Sequence, residues 1–354
     1  MRRRARRLRA RRSLHCARSG YSGGGVVVTR SRALRLLAGT AGVAGLAAGV
    51  AALTAFRSGA SDNVVIVAAS FAPLLLLATV IGAIATAVAR QWLLLAASLV
   101  VVGFAGWAYG PLYVAGATGE PAVDANGPSI RVMQSNIMVG SADPEALVRT
   151  VRERDIDVLT IQELTVPSVD ALRDAGLEEL LPHQVLAPHP TGGAGGGIYS
   201  RLPLSNHRQV DGMALTNLVV EVDAGLGRPV ILYDVHPVPA YIAPAADWTE
   251  DFERLRDDMD SAAAHDNVIV SGDFNATYSH RKFRDLRRGG YVDAADRLGA
   301  GILPTYPTDK RYPAVVGIDH ILTKGATATS LERIDVAGSD HHGLIADVQL
   351  TTGS

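Results

Sequence analysis

Apolar positions along this chain fall into two regimes. Between residues 33 and 116 they run almost unbroken in three long stretches, Ala33–Phe56, Val64–Val88 and Trp92–Gly116. Each is near or above the ~20 residues that a helix needs to cross ~30 Å of hydrocarbon. The first holds only Arg35, near its start, and the other two hold no charged residue. A core helix of a globular domain is usually shorter and amphipathic. The pattern therefore predicts three transmembrane helices joined by short connections at Arg57–Asn63 and Ala89–Gln91. A cleaved signal peptide fits less well, because its apolar region spans only about 7–15 residues and here two more stretches follow. Gly45 and Gly49 give the first stretch a small-xxx-small face of the kind that lets helices approach closely.

Beyond a Gly/Pro/Ala-rich linker, Ala117–Pro128, the rhythm changes to short strand-type runs. These are Ile130–Met133, Val158–Ile161, Gly197–Tyr199, Leu218–Val222, Val230–Val235, Val268–Val270, His320–Leu322 and Ile345–Val348. Helical segments such as Pro144–Glu153 and Trp248–Ala264 lie between them. Many strands with interspersed helices predict a layered α/β domain over residues 129–354. No internal repeat is present.

Charge divides the chain at the same place. Residues 1–119 hold 14 Arg and one acid, Asp62, whereas residues 120–354 hold 20 Lys+Arg against 34 Asp+Glu, a balance of −14. Residues 1–32 read as a disordered basic tail. Such a run can bind nucleic acid, but in front of three apolar stretches it is better read as a topology signal that keeps the N-terminus cytoplasmic. Three crossings then place residues beyond ~117 outside the cytoplasm; Arg90 falls on the inner side as expected and Arg57 is a mild exception. The single cysteine, Cys16, excludes an intrachain disulfide framework and a cysteine-based metal site.

The polar residues with chemical potential sit where strands end. Asn136 follows the run beginning at Ile130, and Glu163 follows Asp157–Gln162. His236 follows Ile231–Val235, and Asp273 and Asn275 follow Val268–Gly272. Asp319 and His320 precede Ile321, and Asp340, His341 and His342 precede Gly343. Any one of these alone is as readily a turn former or helix cap. Together they form a set of acids, amides and imidazoles that chance placement does not explain. The basic run Arg281, Lys282, Arg284, Arg287 and Arg288 reads first as a solvated helix face. Its functional alternative is contact with an anionic headgroup or phosphate, through Arg284, Arg287 and Arg288. The glycines of 192–197 read as a flexible turn, since no strand-turn-helix context marks a phosphate loop.

With these residues in place the sequence resembles the endonuclease/exonuclease/phosphatase superfamily, whose fold is that of pancreatic deoxyribonuclease. The matching segments are MQSNI (133–137), DVLTIQEL (157–164), GGIYSRLPL (196–204), YDVHPVP (233–239), VIVSGDFNAT (268–277), TYP (305–307), GIDHIL (317–322) and SDHHGLIADV (339–348). They keep the family's order and cover essentially all of residues 129–350. The resemblance implies a four-layer α/β/β/α sandwich behind the three transmembrane helices. It implies Glu163 as principal metal ligand, with Asn136 and Asp340 close to the metal, and oxygen donors of this kind suit Mg²⁺ or Mn²⁺. It implies that Asp273 orients or deprotonates the attacking water and that Asn275 donates to a phosphate oxygen. His341 would bond the phosphate with Asp319 fixing its tautomer, and His236 would protonate the leaving oxygen or bind phosphate. Met138 stands where the DNA-repair branch carries an Asp, which argues against abasic-site chemistry.

Three classes of function follow as expectations. One is a hydrolase of a phosphorylated membrane lipid, the second an outward-facing nuclease, the third a membrane binding protein with a dead site. A competent residue at every matched position disfavours the third. The acidic domain disfavours nucleic acid modestly, since DNA affinity rests largely on phosphate neutralisation. The architecture also resembles the membrane-bound glycopeptide-resistance subgroup of actinobacteria, implicated in hydrolysing polyprenyl pyrophosphates. The expected setting is therefore the cell membrane, with the lipid bilayer and a phosphorylated lipid as partners, nucleic acid as the alternative, and no obligate protein partner.

Overall fold

The structure is a computed structural model and describes residues 24–59, 62–117 and 127–352. Its N-terminal part contains helices α1 (Gly24–Arg57), α2 (Asn63–Ser70), α3 (Ala72–Val88) and α4 (Trp92–Tyr109), the last followed by a 3-10 turn, Gly110–Tyr113. The remainder begins with β1 (Ser129–Asn136), α5 (Pro144–Glu153), β2 (Val158–Gln162), α6 (Val166–Asp174), α7 (Leu177–Leu180), β3 (His183–Ala187) and β4 (Gly196–Ser200). It continues with β5 (Leu204–Gln209), β6 (Leu218–Val222), β7 (Val230–Val235), α8 (Ala245–Ala262), β8 (Val268–Asp273) and α9 (Arg281–Leu286). It closes with β9 (Val292–Asp293), α10 (Ala294–Leu298), β10 (Asp319–Lys324), β11 (Thr327–Asp335) and β12 (His342–Gln349).

The strands form two six-stranded sheets, ordered β11-β12-β1-β2-β4-β3 and β5-β6-β7-β8-β10-β9. Alternation along each strand sends neighbouring side chains to opposite faces. Val132, Val158, Leu344 and Ala346 of the first sheet meet Val220, Leu232, Ile269 and Ile321 of the second in a core between the sheets. The intervening residues face outward. Met133, Leu159 and Ile345 pack under α5 and α6, through Leu147, Val151 and Leu172. Tyr233, Val268 and Val270 pack under α8 and α9, through Trp248, Phe252, Leu255 and Phe283. Because both faces of the central strands are covered, they read as continuous apolar runs rather than as alternating ones. All eight runs picked out in the sequence are central strands, and the four edge strands β3, β5, β9 and β11 were not among them.

Two of the N-terminal segments are long and apolar enough to cross a membrane, Arg32–Arg57 and Trp92–Tyr113. The stretch Val64–Val88, expected as one helix, is broken into α2 and α3 with a bend of 67°. The cause is Pro73 in the first turn of α3, which has no N–H to continue α2 and disfavours helical backbone just before it. The expected basic tail lies outside the described residues up to 23, and α1 already begins at Gly24. Of the expected linker, residues 118–126 lie outside the described residues.

Helices α1, α3 and α4 pack as an up-down-up bundle. A Cβ at Gly45 would press on Ala78 O and Gly82, and one at Gly49 on Thr79 and Val101, so the small-residue face predicted in α1 is where α3 lies. Thr79 Oγ1 donates to Gly45 O at 2.8 Å. At the far end Gln91 Nε2 donates to Arg35 O at 2.8 Å. At the near end the bundle sits directly on the α/β domain. Arg284 lies 3.7 Å over the Phe56 ring and donates to Phe56 O, Tyr109 Oη meets Ser279 Oγ at 2.8 Å, and Leu112 O accepts from Gly301 N at 2.8 Å. Helix α2 joins the same contact: His280 Nε2 donates to Ile66 O at 2.9 Å, and Asn63 bonds Ala243 O and Ala245 N.

These contacts correct the reading of the basic run. Arg284 is held under α1 by Phe56 and also donates to Tyr278 O and Ser279 O, while Arg287 pairs with buried Asp296 at 2.6 Å. Neither guanidinium is free for a headgroup, because each neutralises or caps groups of the protein itself. Arg288 is exposed and paired with Asp285 at 2.8 Å.

Candidate active site

The two sheets present their strand ends at one edge of the core, and register decides which residues meet. In the first sheet β1 and β2 run parallel with Asn136 opposite Gln162, which sets Glu163 beside Asn136. In the second, β7 and β8 run parallel with Val235 opposite Gly272, so His236 emerges beside Asp273. Gly272 is required there, since a Cβ would collide with Val235 O. Strand β10 runs antiparallel to β8 with Asp319 opposite Asp273. His341 enters from the turn before β12. Residues separated by more than 200 positions thus converge.

Asp273 is the centre of the cluster. Its Oδ2 accepts from Asn136 Nδ2 at 3.0 Å and lies 3.7 Å from both His236 Nε2 and His341 Nε2. Its Oδ1 accepts from Asn275 N at 2.8 Å. Asn136 Nδ2 also donates to Glu163 Oε1 at 3.2 Å, and Glu163 Oε2 accepts from Val139 N at 2.8 Å. His341 Nδ1 donates to Asp319 Oδ2 at 2.9 Å, and Asp340 Oδ1 stands 3.9 Å from His341 Nε2. The Tyr306 ring lies against the His341 imidazole, 4.8 Å between centroids. All eight residues expected to carry the chemistry are therefore brought to one place. Arg284, Arg287 and Arg288 are directed elsewhere.

Two expected arrangements differ in detail. Asn136 Oδ1 accepts from Met138 N at 3.0 Å, so the amide turns its nitrogen to the two carboxylates and bridges them rather than offering an oxygen. Asn275 Nδ2 donates to Pro237 O at 3.0 Å instead of facing the cluster with both hydrogens free.

Backbone strain concentrates at this site. Among the described residues seven non-glycines adopt positive φ, and four of them, Met138, Val139, Glu163 and Asn275, belong to the site or its immediate loops. Such residues persist where surrounding bonds over-determine them, and they cluster at functional sites.

Burial sets the charge states. Desolvation raises the Glu163 carboxyl, although its bonds from Asn136 and Val139 oppose this. Desolvation likewise raises Asp273, against the pull of His341. The two imidazoles are driven apart. Burial lowers His236, overcoming the attraction of Asp273. Burial would lower His341 as well, but Asp319, Asp273 and Asp340 outweigh it and push its pKa up to about 10. At neutral pH one imidazole is therefore cationic and the other neutral, the kind of division that assigns different roles to similar groups.

Behind the site a row of buried polar side chains crosses between the sheets. Asp319 Oδ1 accepts from Gln134 Nε2 at 2.7 Å, which also donates to Gln162 Oε1 at 2.8 Å. Gln162 Nε2 donates to Asp234 Oδ1 at 2.5 Å, and Asp234 Oδ2 accepts from Gly197 N at 3.0 Å. Sequence reasoning missed Gln134 and Asp234 as partners; the available signal was a charged or amide residue inside an otherwise apolar strand. Of the glycines of 192–197, those before 196 lie in an irregular turn as expected, whereas the last two belong to a strand. Gly196 and Gly197 are in β4, where a Cβ would meet the Asp234 carboxylate or the Leu164 and Leu186 side chains, and a Cβ at Gly193 would press on Glu163.

Two groups of donors present themselves to a divalent cation. Ligand atoms of Asp273, Asp319 and His341 lie within 4.8 Å of one another. An imidazolium, however, has no lone pair to offer, so His341 as protonated beside Asp319 is not a ligand. Glu163 with Asp340 offers carboxylate oxygens, and the desolvation that raises Glu163 and Asp273 is what a nearby cation would offset.

A sequence model of the Endonuclease/Exonuclease/phosphatase family matches residues 133–341. Similar solved structures include an AP endonuclease from Archaeoglobus fulgidus, at TM-score 0.51 and 14% identity over 61% of this chain and 98% of that one. Another is humanized D. rerio TDP2 carrying 14 mutations, at TM-score 0.50 and 15% identity over 62% of this chain and 99% of that one. At these identities the likeness establishes the fold. No curated protein matches the sequence.

Proposed function

This chain belongs to the Endonuclease/Exonuclease/phosphatase family, whose members are metal-dependent phosphoesterases or nucleases, and on that premise we propose that it hydrolyses a phosphorylated lipid at the outer face of the cytoplasmic membrane. The substrate we favour is of the polyprenyl pyrophosphate type. The observation that carries this reading is direct docking: the helix bundle touches the loop that follows the catalytic strand β8, through His280–Ile66, Ser279–Tyr109 and Arg284–Phe56. The reacting groups are thereby held beside apolar helices rather than at the end of a tether. Large apolar side chains on the outside of the bundle, among them Leu77, Ile81, Ile84, Leu93, Val100 and Trp107, suit contact with lipid.

Glu163 and Asp340 would hold Mg²⁺ or Mn²⁺, whose positive charge would help to bind and polarise the phosphate oxygens. The other roles belong to the chain. Asp273 receives the proton of the attacking water, and its raised pKa suits it to that task. Asn136 keeps the Glu163 and Asp273 carboxylates in register. Cationic His341 donates from Nε2 to a phosphate oxygen as negative charge develops, with Asp319 holding the ring through Nδ1. His236 and Asn275 contact the phosphate or the leaving oxygen from the second sheet.

The three helices α1, α3 and α4 each run between the same two ends of the bundle. Counted as three crossings, with the Arg-rich N-terminus cytoplasmic, they support a catalytic domain on the outer side.

The deciding experiment uses the full-length protein in detergent or nanodiscs with Mg²⁺ or Mn²⁺, against polyprenyl pyrophosphate, plasmid DNA and sphingomyelin. Phosphate release from the pyrophosphate lipid, with little action on DNA, is the expected result. Efficient nicking of plasmid with no lipid turnover would replace this reading by a nuclease. An alkaline-phosphatase fusion after residue 354 should be active, and an inactive one would reverse the topology.

A further inference from the structure

Helix α2 was expected to be part of a membrane span, yet it lies against the catalytic domain, and one side of it bounds a cavity of about 180 Å³. Ile66, Val67 and Ser70 of α2, with Phe71 at the bend, form one wall. Ala240, Tyr241, Asn275, Tyr306, Val316 and Ile318 of the catalytic domain form the other. The lining is mainly apolar, and two of its residues belong to the active site. Asn275 N bonds Asp273 Oδ1 at 2.8 Å, and Tyr306 packs on His341. Beside the cavity apolar side chains reach solvent: Val64, Val67 and Phe71 on and beside α2, Tyr241 and Ile242 on the facing loop. An apolar path therefore leads from the reacting groups to the rim of the helix bundle.

We propose that this cavity holds the first carbons of the hydrocarbon chain of a phosphorylated lipid, so that α2 forms one wall of the substrate site. The inference rests on the phosphoester-hydrolase reading of the same site. A phosphate bonded by His341 and approached by Asp273 would place its organic substituent beside Tyr306 and Asn275, which is where the cavity begins. The remainder of the chain would follow the exposed Val67–Phe71 side toward the bilayer. The 67° bend at Phe71 has a function on this view, since a straight α2–α3 helix would carry Ile66 and Val67 away from the wall that they form. Removing each methylene from water is worth about 0.8 kcal/mol, roughly a fourfold gain in affinity.

The test uses the full-length protein in nanodiscs with Mg²⁺ and diphosphates of one, two and three isoprene units, with n-alkyl diphosphates of matched length. Wild-type kcat/KM should rise at least tenfold with each added unit until the cavity is filled. Ser70→Trp, which fills the cavity, should cut the ratio of longest to shortest substrate at least tenfold. Val67→Ala, a milder change that preserves packing elsewhere, should cut it by about threefold. Equal slopes for the prenyl and alkyl series indicate that chain length is read; a slope confined to the prenyl series indicates that branching is read, and both support the site. The proposal is overturned if either folded variant keeps the wild-type ratio, or if wild-type kcat/KM is independent of chain length. Failure of the underlying reading looks different: no diphosphate of any length is hydrolysed by wild-type protein that nicks plasmid DNA.

Discussion

His341 Nδ1 donates to Asp319 Oδ2 at 2.9 Å, and this one bond decides which ring nitrogen faces the reacting groups. It also helps hold the imidazole protonated, with a pKa pushed up to about 10 against the lowering effect of burial. The linkage has a definite sign. Removing the carboxylate charge removes support for the cation, so the pKa falls and the proton is lost at lower pH. Asp319→Asn should therefore move the alkaline limb of the kcat/KM profile to lower pH, with a loss of ~10–100-fold at pH 8. A pH profile of the purified variant checks this, and an unmoved alkaline limb would remove His341 as the titrating acid.

Glu163 carries the expected metal charge at a strained backbone position, with φ of 61°. Glu163→Gln conserves volume and removes that charge. Turnover should fall by more than ~100-fold, since metal-assisted stabilisation is worth several kcal/mol. Circular dichroism should show an intact fold, and wild-type activity should likewise vanish on chelation and return with added Mg²⁺ or Mn²⁺. A folded Glu163→Gln protein with wild-type turnover at saturating metal would show that the metal is held elsewhere.

The buried row Asp234–Gln162–Gln134–Asp319 predicts a stability effect away from the chemistry. Gln162→Leu strands one oxygen of Asp234 and one hydrogen of Gln134 inside the core. Each buried group left without a partner costs ~1–3 kcal/mol. Urea unfolding should show a fall of that order, and kcat should drop less than in Asp319→Asn because His341 keeps its direct partner. An unchanged midpoint would mean that the row is not fully desolvated.

Acid sensitivity should originate at the contact between the helices and the catalytic domain. Burial lowers the pKa of His280 from 6.5 to about 4, and its neutral ring accepts from Thr277 N while donating to Ile66 O. Between these values the unfolded chain binds the proton and the folded chain does not. Stability is therefore complete above about 6.5 and is lost as pH falls toward 4, by up to about 3 kcal/mol. His280→Gln, which has no titrating group, should show a smaller loss between pH 7 and pH 4.5 in thermal unfolding. An identical acid slope in the two proteins would place the sensitivity elsewhere.

Much of the architecture was legible because burial writes itself into the chain as apolar runs. The eight strands recognised from sequence are those flanked on both sides within their sheets, so both faces and both edges select for Val, Ile and Leu. The four that escaped recognition, β3, β5, β9 and β11, are the edges. Strand β5 reads Leu-Ser-Asn-His-Arg-Gln and is almost wholly exposed, and β11 carries Ser, Glu and Arg along its outer face. Edge strands gain pairing without burial, and polar residues there guard against association. The break between α2 and α3 was marked in the sequence by Pro73, but unbroken hydropathy hid it, because hydropathy measures composition and not whether each carbonyl finds its N–H.

The sequence by itself picked out the residues that the fold gathers at one edge, because Glu163, His236, Asp273, Asp319 and His341 interrupt apolar runs at strand ends, where a rigid sheet can display them. Only the tertiary structure decided how they work together. Register across β8 and β10 sets Asp319 opposite Asp273, and from there it reaches His341 in one direction and Gln134 in the other. The same is true of Arg284, a surface cation by sequence that is half-buried over Phe56, and of α2, a membrane segment by hydropathy that forms a wall beside Asn275. Strand and helix patterns follow from the local choice between water and an apolar environment, which each stretch of chain makes largely alone. Charge states, hydrogen-bond partners and cavities depend on which distant residue fills the remaining space, and that is settled only when two sheets and a helix bundle have packed.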